Sequence, residues 1–340
     1  MILNEKINKL FIYWLNTTLI LVFLIIIVGG LTRLTNSGLS ITEWELFVGI
    51  MPPTDNNMWN FYFNEYKKIP QYKLLNSGMS LSEFKVIFYW EYFHRILART
   101  IGIFFLIPLI FFYFTKKINQ NYIFNCFIIL ILIIIQGIVG WFMVKSGLVN
   151  NVTVSHYRLS IHLGLAFFII SSIYWLIRNF KSKQHIVFFK IKKNDFFFQI
   201  LILLIFLQII VGAFVSGLDA GLSYQTWPLM DEKYFPNDTL ILGLKDLLDF
   251  NNRSLIQFYH RNLAYFIVLY VFILTFFIYK RKITKLYKST NILLFFLTLQ
   301  IILGIFTLIS GLKIYLASAH QITSMLLIFS ALNLYYLRTK

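Results

Sequence analysis

The 340-residue sequence predicts an all-α integral membrane protein, with eight transmembrane helices forming two parallel four-helix-bundle repeats and both termini in the cytoplasm. Three observations predict it. Hydrophobic residues make up 58% of the chain and charged residues 13%, against roughly 45–50% and about 25% in soluble globular proteins. Apolar stretches long enough to cross a bilayer recur eight times. Residue patterns of the first half return in the second at a fixed offset. A chain this apolar cannot hide its side chains in a water-soluble core, which excludes soluble enzymes, secreted scaffolds and disordered proteins.

A bilayer-crossing helix takes roughly 20 mostly apolar residues. The first candidate, about 11–31, has too long an apolar run for a cleavable signal and no small-residue cleavage site after it. The others are about 91–114, 122–144, 159–177, 196–216, 256–279, 291–312 and 315–337. With the N-terminus inside, the inner segments 1–10, 115–121, 178–195, 280–290 and 338–340 carry 17 Lys/Arg against Glu5 and Asp195. The outer segments carry 11 residues of each sign. This is the positive-inside pattern, and it puts both termini in the cytoplasm or its organellar equivalent. The net charge of +17 therefore reflects topology. No basic run is interleaved with aromatic and polar residues that could read bases, so the expected partner is the lipid bilayer and not nucleic acid.

Two outer loops are long, about 32–90 and 217–255. The first holds Met51-Pro52-Pro53, several tryptophans and balanced charge, and is expected to lie ordered against the membrane surface. The single cysteine, Cys126, excludes an intramolecular disulfide and any Cys-built zinc or iron–sulfur site.

The chain repeats itself. Ile27-Val28-Gly29-Gly30, running to Gly38-Leu39-Ser40 and Trp44, matches Ile210-Val211-Gly212-Ala213, running to Gly221-Leu222-Ser223 and Trp227, at a constant offset of 183. His94-Arg95-x-Leu97 matches His260-Arg261-x-Leu263. Gln136, Gly140 and Ser146-Gly147-Leu148 match Gln300, Gly304 and Ser310-Gly311-Leu312. The expected domains are 1–195 and 196–340, each a four-helix repeat. The repeats are parallel because each contains an even number of spans.

Four of the six histidines stand at the outer ends of the even-numbered spans: His94, His162, His260 and His320. A lone histidine within a membrane is most often a hydrogen-bonded packing residue. Four at matched depth, two per repeat on facing helices, make the arrangement for axial ligation of haem iron. Ionisable groups at that depth are costly enough to mark function. Counting ungapped from the Ser-Gly-Leu motifs pairs His156 with His320. Depth favours His162: His320 lies 18 residues before Arg338, His162 lies 16 before Arg178, and His156 lies 22 before it. Helix rise is fixed at about 1.5 Å per residue, so the insertion belongs to the loop before His162. His156 is then at the outer surface and His185 in a basic inner loop, and neither is expected to be a ligand.

One difference between the halves bears on chemistry. The first reads Glu91-Tyr92-Phe93-His94-Arg95 and the second Gln257-Phe258-Tyr259-His260-Arg261. A residue three before a ligand shares its helical face, so Glu91 is expected near the edge of a porphyrin bound by His94. One reading makes Glu91 the i,i+4 partner of Arg95. The other makes the first half reactive and leaves the second to hold an electron-carrying haem. A di-iron carboxylate site needs two Glu-x-x-His motifs plus two more glutamates, and Gln257 excludes it. Guanidinium forks suit carboxylates, so Arg95 and Arg261 are candidate haem-propionate contacts, whereas Arg99 is equally suited to anchoring at the interface. The Gly29-Gly30 and Gly212-Ala213 pairs are expected to allow close helix packing.

Gly29-Gly30-Leu31-Thr32-Arg33-Leu34-Thr35-x-Ser37-Gly38-Leu39-Ser40-Ile41-x-Glu43-Trp44, then Gly49-Ile50-Met51-Pro52-Pro53 and Glu91-x-x-His94-Arg95, closely resemble the haem A synthase family. The likeness is to its second type, found in alphaproteobacteria and mitochondria. Tyr157-Arg158-Leu159-x-x-His162-Leu163, Trp227-Pro228-Leu229-Met230, His260-Arg261 and His320-Gln321 extend it from about residue 10 to the C-terminus. The resemblance implies oxidation of the C8 methyl of haem O to a formyl group, through a hydroxymethyl intermediate, giving haem A for terminal oxidases. It implies that His94 and His162 bind the substrate haem, that Glu91 is the catalytic carboxylate, and that His260 and His320 ligate a haem b cofactor. Implied partners are haem O, a haem O synthase and an electron-transfer partner, and a homo-oligomer is compatible with it. The implied location is the bacterial cytoplasmic membrane or the mitochondrial inner membrane, with the haem sites towards the outer side. The first type of the family carries cysteine pairs in its outer loops, and no such role carries over to this sequence. A non-enzymatic diheme b-type electron carrier would use the same four histidines but leave Glu91 without a task. A haem transporter would need two pockets as well, yet the parallel repeat lacks the broken helices of transporters.

Overall fold

The computed structural model describes residues 2–43, 50–150, 152–188 and 195–340. Trp44 and Gly49 of the first-loop motif, and Lys190, Lys192 and Lys193 of the inner charge set, lie outside the described residues. The described chain runs α1 (Ile2–Leu34), α2 (Asn56–Lys68), α3 (Pro70–Leu75), α4 (Leu81–Thr115), α5 (Gln120–Asn150), α6 (His156–Lys181), α7 (Phe196–Gly217), α8 (Leu244–Leu247), α9 (Arg253–Lys280), α10 (Thr284–Ile309) and α11 (Ile314–Thr339). Eight of these, α1, α4, α5, α6, α7, α9, α10 and α11, are long and apolar enough to cross a membrane. They cover the eight apolar stretches, so the chain is an all-α multi-pass membrane protein.

Several helices outrun the apolar stretches because polar residues cap or extend them. α4 starts at Leu81, about ten residues before its apolar run, on a capping box in which Ser80 and Glu83 satisfy each other's backbone N–H. α10 stops earlier than expected, at Ile309. There Gly311 (φ +72°) and Leu312 (φ +60°) turn the chain through the left-handed region, which glycine enters without strain. The matching Gly147 stays inside α5. Six more residues separate Gly147 from His162 than separate Gly311 from His320. The longer interval includes the last residues of α5, which runs on to Asn150.

The chain forms two compact units, 1–173 and 174–340. In the first, α1 packs along α4 and α4 along α5, with α2 over α4 and α3 over α5. Residues 32–90 are more than a loop. Leu39, Trp59, Phe63, Tyr66, Phe84 and Phe88 form a buried apolar cluster of their own, with α2 opened by Asp55, whose side chain accepts from Met58 N–H. Pro108 interrupts the hydrogen-bond ladder of α4, leaving the Phe104 carbonyl without its usual donor. The Trp14 indole N–H of α1 donates to that carbonyl at 3.1 Å, the kind of repair that makes proline tolerable in a membrane helix.

In the second unit α7, α9, α10 and α11 close a ring, each touching the next and α11 returning to α7. Some buried hydroxyls are satisfied within their own helices, as where Thr290 and Thr323 donate to carbonyls four residues back. In the segment before α9, Asp238 accepts from Tyr224 Oη at 2.8 Å and from Ser254 Oγ at 2.7 Å. Desolvation pushes the Asp238 carboxyl upward, but these donors outweigh it and hold it below the ordinary aspartate range.

Candidate functional site

All four membrane histidines meet a glycine on the helix that precedes theirs. A methyl carbon added at Gly140 of α5 would lie 2.9 Å from His162 Cε1, and one at Gly304 of α10 would lie 2.9 Å from His320 Cε1. At Gly212 of α7 it would meet His260 Cε1 at 3.1 Å. At Gly29 of α1 it would meet His94 at 3.1 Å, but there the nearest ring atom is Nε2. His94 and His162 are near enough to interact electrostatically, and so are His260 and His320. Each half therefore brings together the two histidines expected of it. His162 and His320 share one environment, whereas His156, the first residue of α6, packs its ring on Tyr157 at 4.1 Å between centroids.

Three of the four histidines also touch a glutamine one turn before that glycine. Gln136 Nε2 donates to the His162 carbonyl at 3.0 Å and faces its ring Nε2 at 3.3 Å. Gln208 Nε2 donates to the His260 carbonyl at 3.0 Å and faces ring Nδ1 at 3.2 Å. Gln300 Nε2 faces His320 Nε2 at 3.2 Å. Gln136 and Gln300 stand out in the sequence as repeat markers, but Gln208 does not, because Ile25 occupies its place in the first half. The signal that finds it is Gln-x-x-x-Gly, present on α5, α7 and α10 and broken on α1.

Glu91 is 3% exposed and both its oxygens are occupied. Oε1 accepts from Arg95 Nη2 at 2.6 Å and Nε at 3.1 Å, so the i,i+4 pair forms. Oε2 accepts from Ser40 Oγ at 2.8 Å and from Ile41 N–H at 2.9 Å. Arg95 also donates to the Ile41 carbonyl at 2.9 Å. The pair thus anchors the segment after α1 to α4. In the second unit Gln257 Nε2 and Arg261 Nη2 donate to the Tyr224 carbonyl at 2.7 and 3.1 Å, and Tyr224 stands 183 residues after Ile41. Arg261 Nε is buried without a hydrogen-bond partner. Arg99 lines a small cavity with Arg95, Ile41, Tyr62 and Tyr92.

The close glycines give a test. A Gly304→Ala protein is expected to lose or grossly alter any spectrum that depends on His320, because the new methyl occupies the ring's position. Gly137→Ala, on α5 with nothing within 4 Å, is expected to leave absorption spectra unchanged.

Comparison with known proteins follows the same lines. The family model described as "Cytochrome oxidase assembly protein", COX15-CtaA, matches residues 12–332. A protein of Pelagibacter ubique named "Heme A synthase" is 50% identical over 325 residues, covering 95% of each chain. One of the same name from Nitrosospira multiformis is 41% identical over 325 residues, 94% of this chain and 90% of its own. Another from Flavobacterium johnsoniae is 38% identical over 330 residues, 95% of this chain and 96% of its own.

Proposed function

The chain belongs to the COX15-CtaA family of cytochrome oxidase assembly proteins, and from that premise we infer that it is a haem A synthase, an oxidoreductase that converts haem O to haem A. The observation that carries the reading is extended identity to proteins of that name, joined to a pair of buried histidines in each half that lie within electrostatic range of one another. The residues suit haem. His162 Nδ1 and His320 Nδ1 are buried without partners, as are the side-chain oxygens of Gln136, Gln208 and Gln300, and polar atoms are rarely left so in a membrane interior. The glycines keep clear the space that each ring occupies.

In this reading His94 and His162 hold the substrate haem O, while His260 and His320 hold a resident haem b. A haem b held by those two residues would supply electron transfer. Conversion of the C8 methyl of haem O to the formyl group of haem A removes four electrons, in two two-electron steps through the alcohol, and adds one oxygen atom, so it needs an external electron acceptor and an oxygen source besides this chain. Glu91, on the face of α4 that carries His94, is the carboxylate that takes up or steadies charge as the methyl group is oxidised. Arg95 keeps that carboxylate in place, and Arg261, with Nε unpartnered, is the better placed of the two for a haem propionate. The positive-inside charge pattern supports a cytoplasmic N-terminus, with the histidines towards the outer face of a bacterial cytoplasmic or mitochondrial inner membrane. A haem O synthase and an electron acceptor are the expected partners.

Co-expression with a haem O synthase in a host lacking haem A tests the reading. Chromatography of the extracted haems is expected to give haem A or its hydroxymethyl precursor. Unchanged haem O beside an intact b-type spectrum would instead favour the non-enzymatic electron carrier.

A further inference from the structure

We propose that Gln136, Gln208 and Gln300 are positioning residues that lock the imidazoles of His162, His260 and His320, and that Ile25 leaves His94 unlocked, making it the axial position that opens. The proposal rests on the assignment of these histidines as haem ligands. A metal-binding histidine is ordinarily held through its second ring nitrogen, whose N–H donates to a fixed acceptor, and such partners set ring orientation and ligand strength. Each glutamine offers that acceptor. In Gln136 and Gln208 the amide nitrogen is tied to the carbonyl of the very histidine concerned. In all three the amide oxygen is buried with no partner. Nδ1 of His162 and of His320 is likewise buried without a partner. The amide now sets its nitrogen 3.2–3.3 Å from each ring; when one ring nitrogen gives its lone pair to iron the other carries hydrogen, and a half-turn of the amide would bring the idle oxygen to accept it.

His94 departs from this. The residue one turn before its glycine is Ile25, which offers neither donor nor acceptor, and among the described residues no hydrogen bond reaches the His94 ring. The second half is thus locked on both ligands, as a resident haem requires. The first is locked on His162 alone, as a site needs when a haem must enter as substrate and leave as product.

The test uses the full-length protein purified from cells that also make haem O, with excess apomyoglobin as haem acceptor and carbon monoxide as a probe of open iron. Wild type is expected to release its O- or A-type haem faster than its b-type haem, and carbon monoxide to bind the former. Ile25→Gln is expected to slow the fast release about ten- to hundredfold and suppress carbon monoxide binding. Gln208→Ile is expected to speed loss of haem b by a similar factor and shift its low-spin electron paramagnetic resonance signal. Because Ile25→Gln adds a lock, damage to the fold does not imitate its effect. Unchanged release and carbon monoxide binding in Ile25→Gln, or an unchanged haem b signal and release in Gln208→Ile, overturns the proposal. The ligand assignment has its own control: if His260→Ala keeps a bis-histidine b spectrum, that assignment has failed rather than the lock.

Discussion

Glu91→Gln is expected to reduce conversion of haem O to haem A by roughly 10²–10⁴-fold, the usual contribution of a positioned acid–base group. Haem b content, which depends on the other half, should stay near wild type. The fold should survive, because the second unit shows how an amide serves at this place: Gln257 donates to the Tyr224 carbonyl, and the matching residue in the first unit, Ile41, is already in hydrogen-bond contact with Glu91. Stability should still drop by about 1–3 kcal/mol, since one of the Ser40, Ile41 and Arg95 donors loses its acceptor. Ser40→Ala separates charge from anchoring. It removes one donor to Oε2 and leaves the carboxylate, so turnover should stay within a few fold of wild type. Near-normal turnover in a folded, haem-loaded Glu91→Gln protein would falsify the catalytic role and leave Glu91 as an anchor alone.

His260→Ala and His320→Ala, made separately, are each expected to abolish the low-spin b-type spectrum or convert it to high spin. A bis-histidine iron that loses one ligand changes its coordination number and spin state. His156→Ala and His185→Ala should leave the spectrum intact. A normal b-type spectrum in both ligand variants would move haem b out of the second unit.

Hydropathy alone located the eight long apolar helices of the described residues, because each carries an apolar stretch that outweighs the few polar and ionisable residues within it. Helix ends were less legible. The extension of α4 back to Leu81 depends on Ser80 and Glu83, polar residues that carry no apolar signal, and α2 and α3 lie within a stretch that reads as a loop. The Glu91–Arg95 pair was visible from its spacing, but not as a buried pair, since Ser40 and Ile41 lie some fifty residues away in the chain. Histidine depth was readable from fixed helix rise. Gln208 was not, because comparing the halves finds residues that recur, and its place in the first half is Ile25. The informative feature there is a failure to repeat.

The proline of α4 reaches further than its own turn. The Phe104 carbonyl it frees is held by Trp14, and ten residues away, about 15 Å along the helix, His94 rests on Gly29 of that same α1. Two fastenings so far apart act as a vernier on the seam. A slip of one residue turns a helix by about 100°, and neither fastening tolerates that. The angle at which His94 enters its site is therefore set partly at the far end of the helix pair. A designer who straightened α4 by replacing Pro108 would free Trp14 from its carbonyl and lose one of the two marks that define the register.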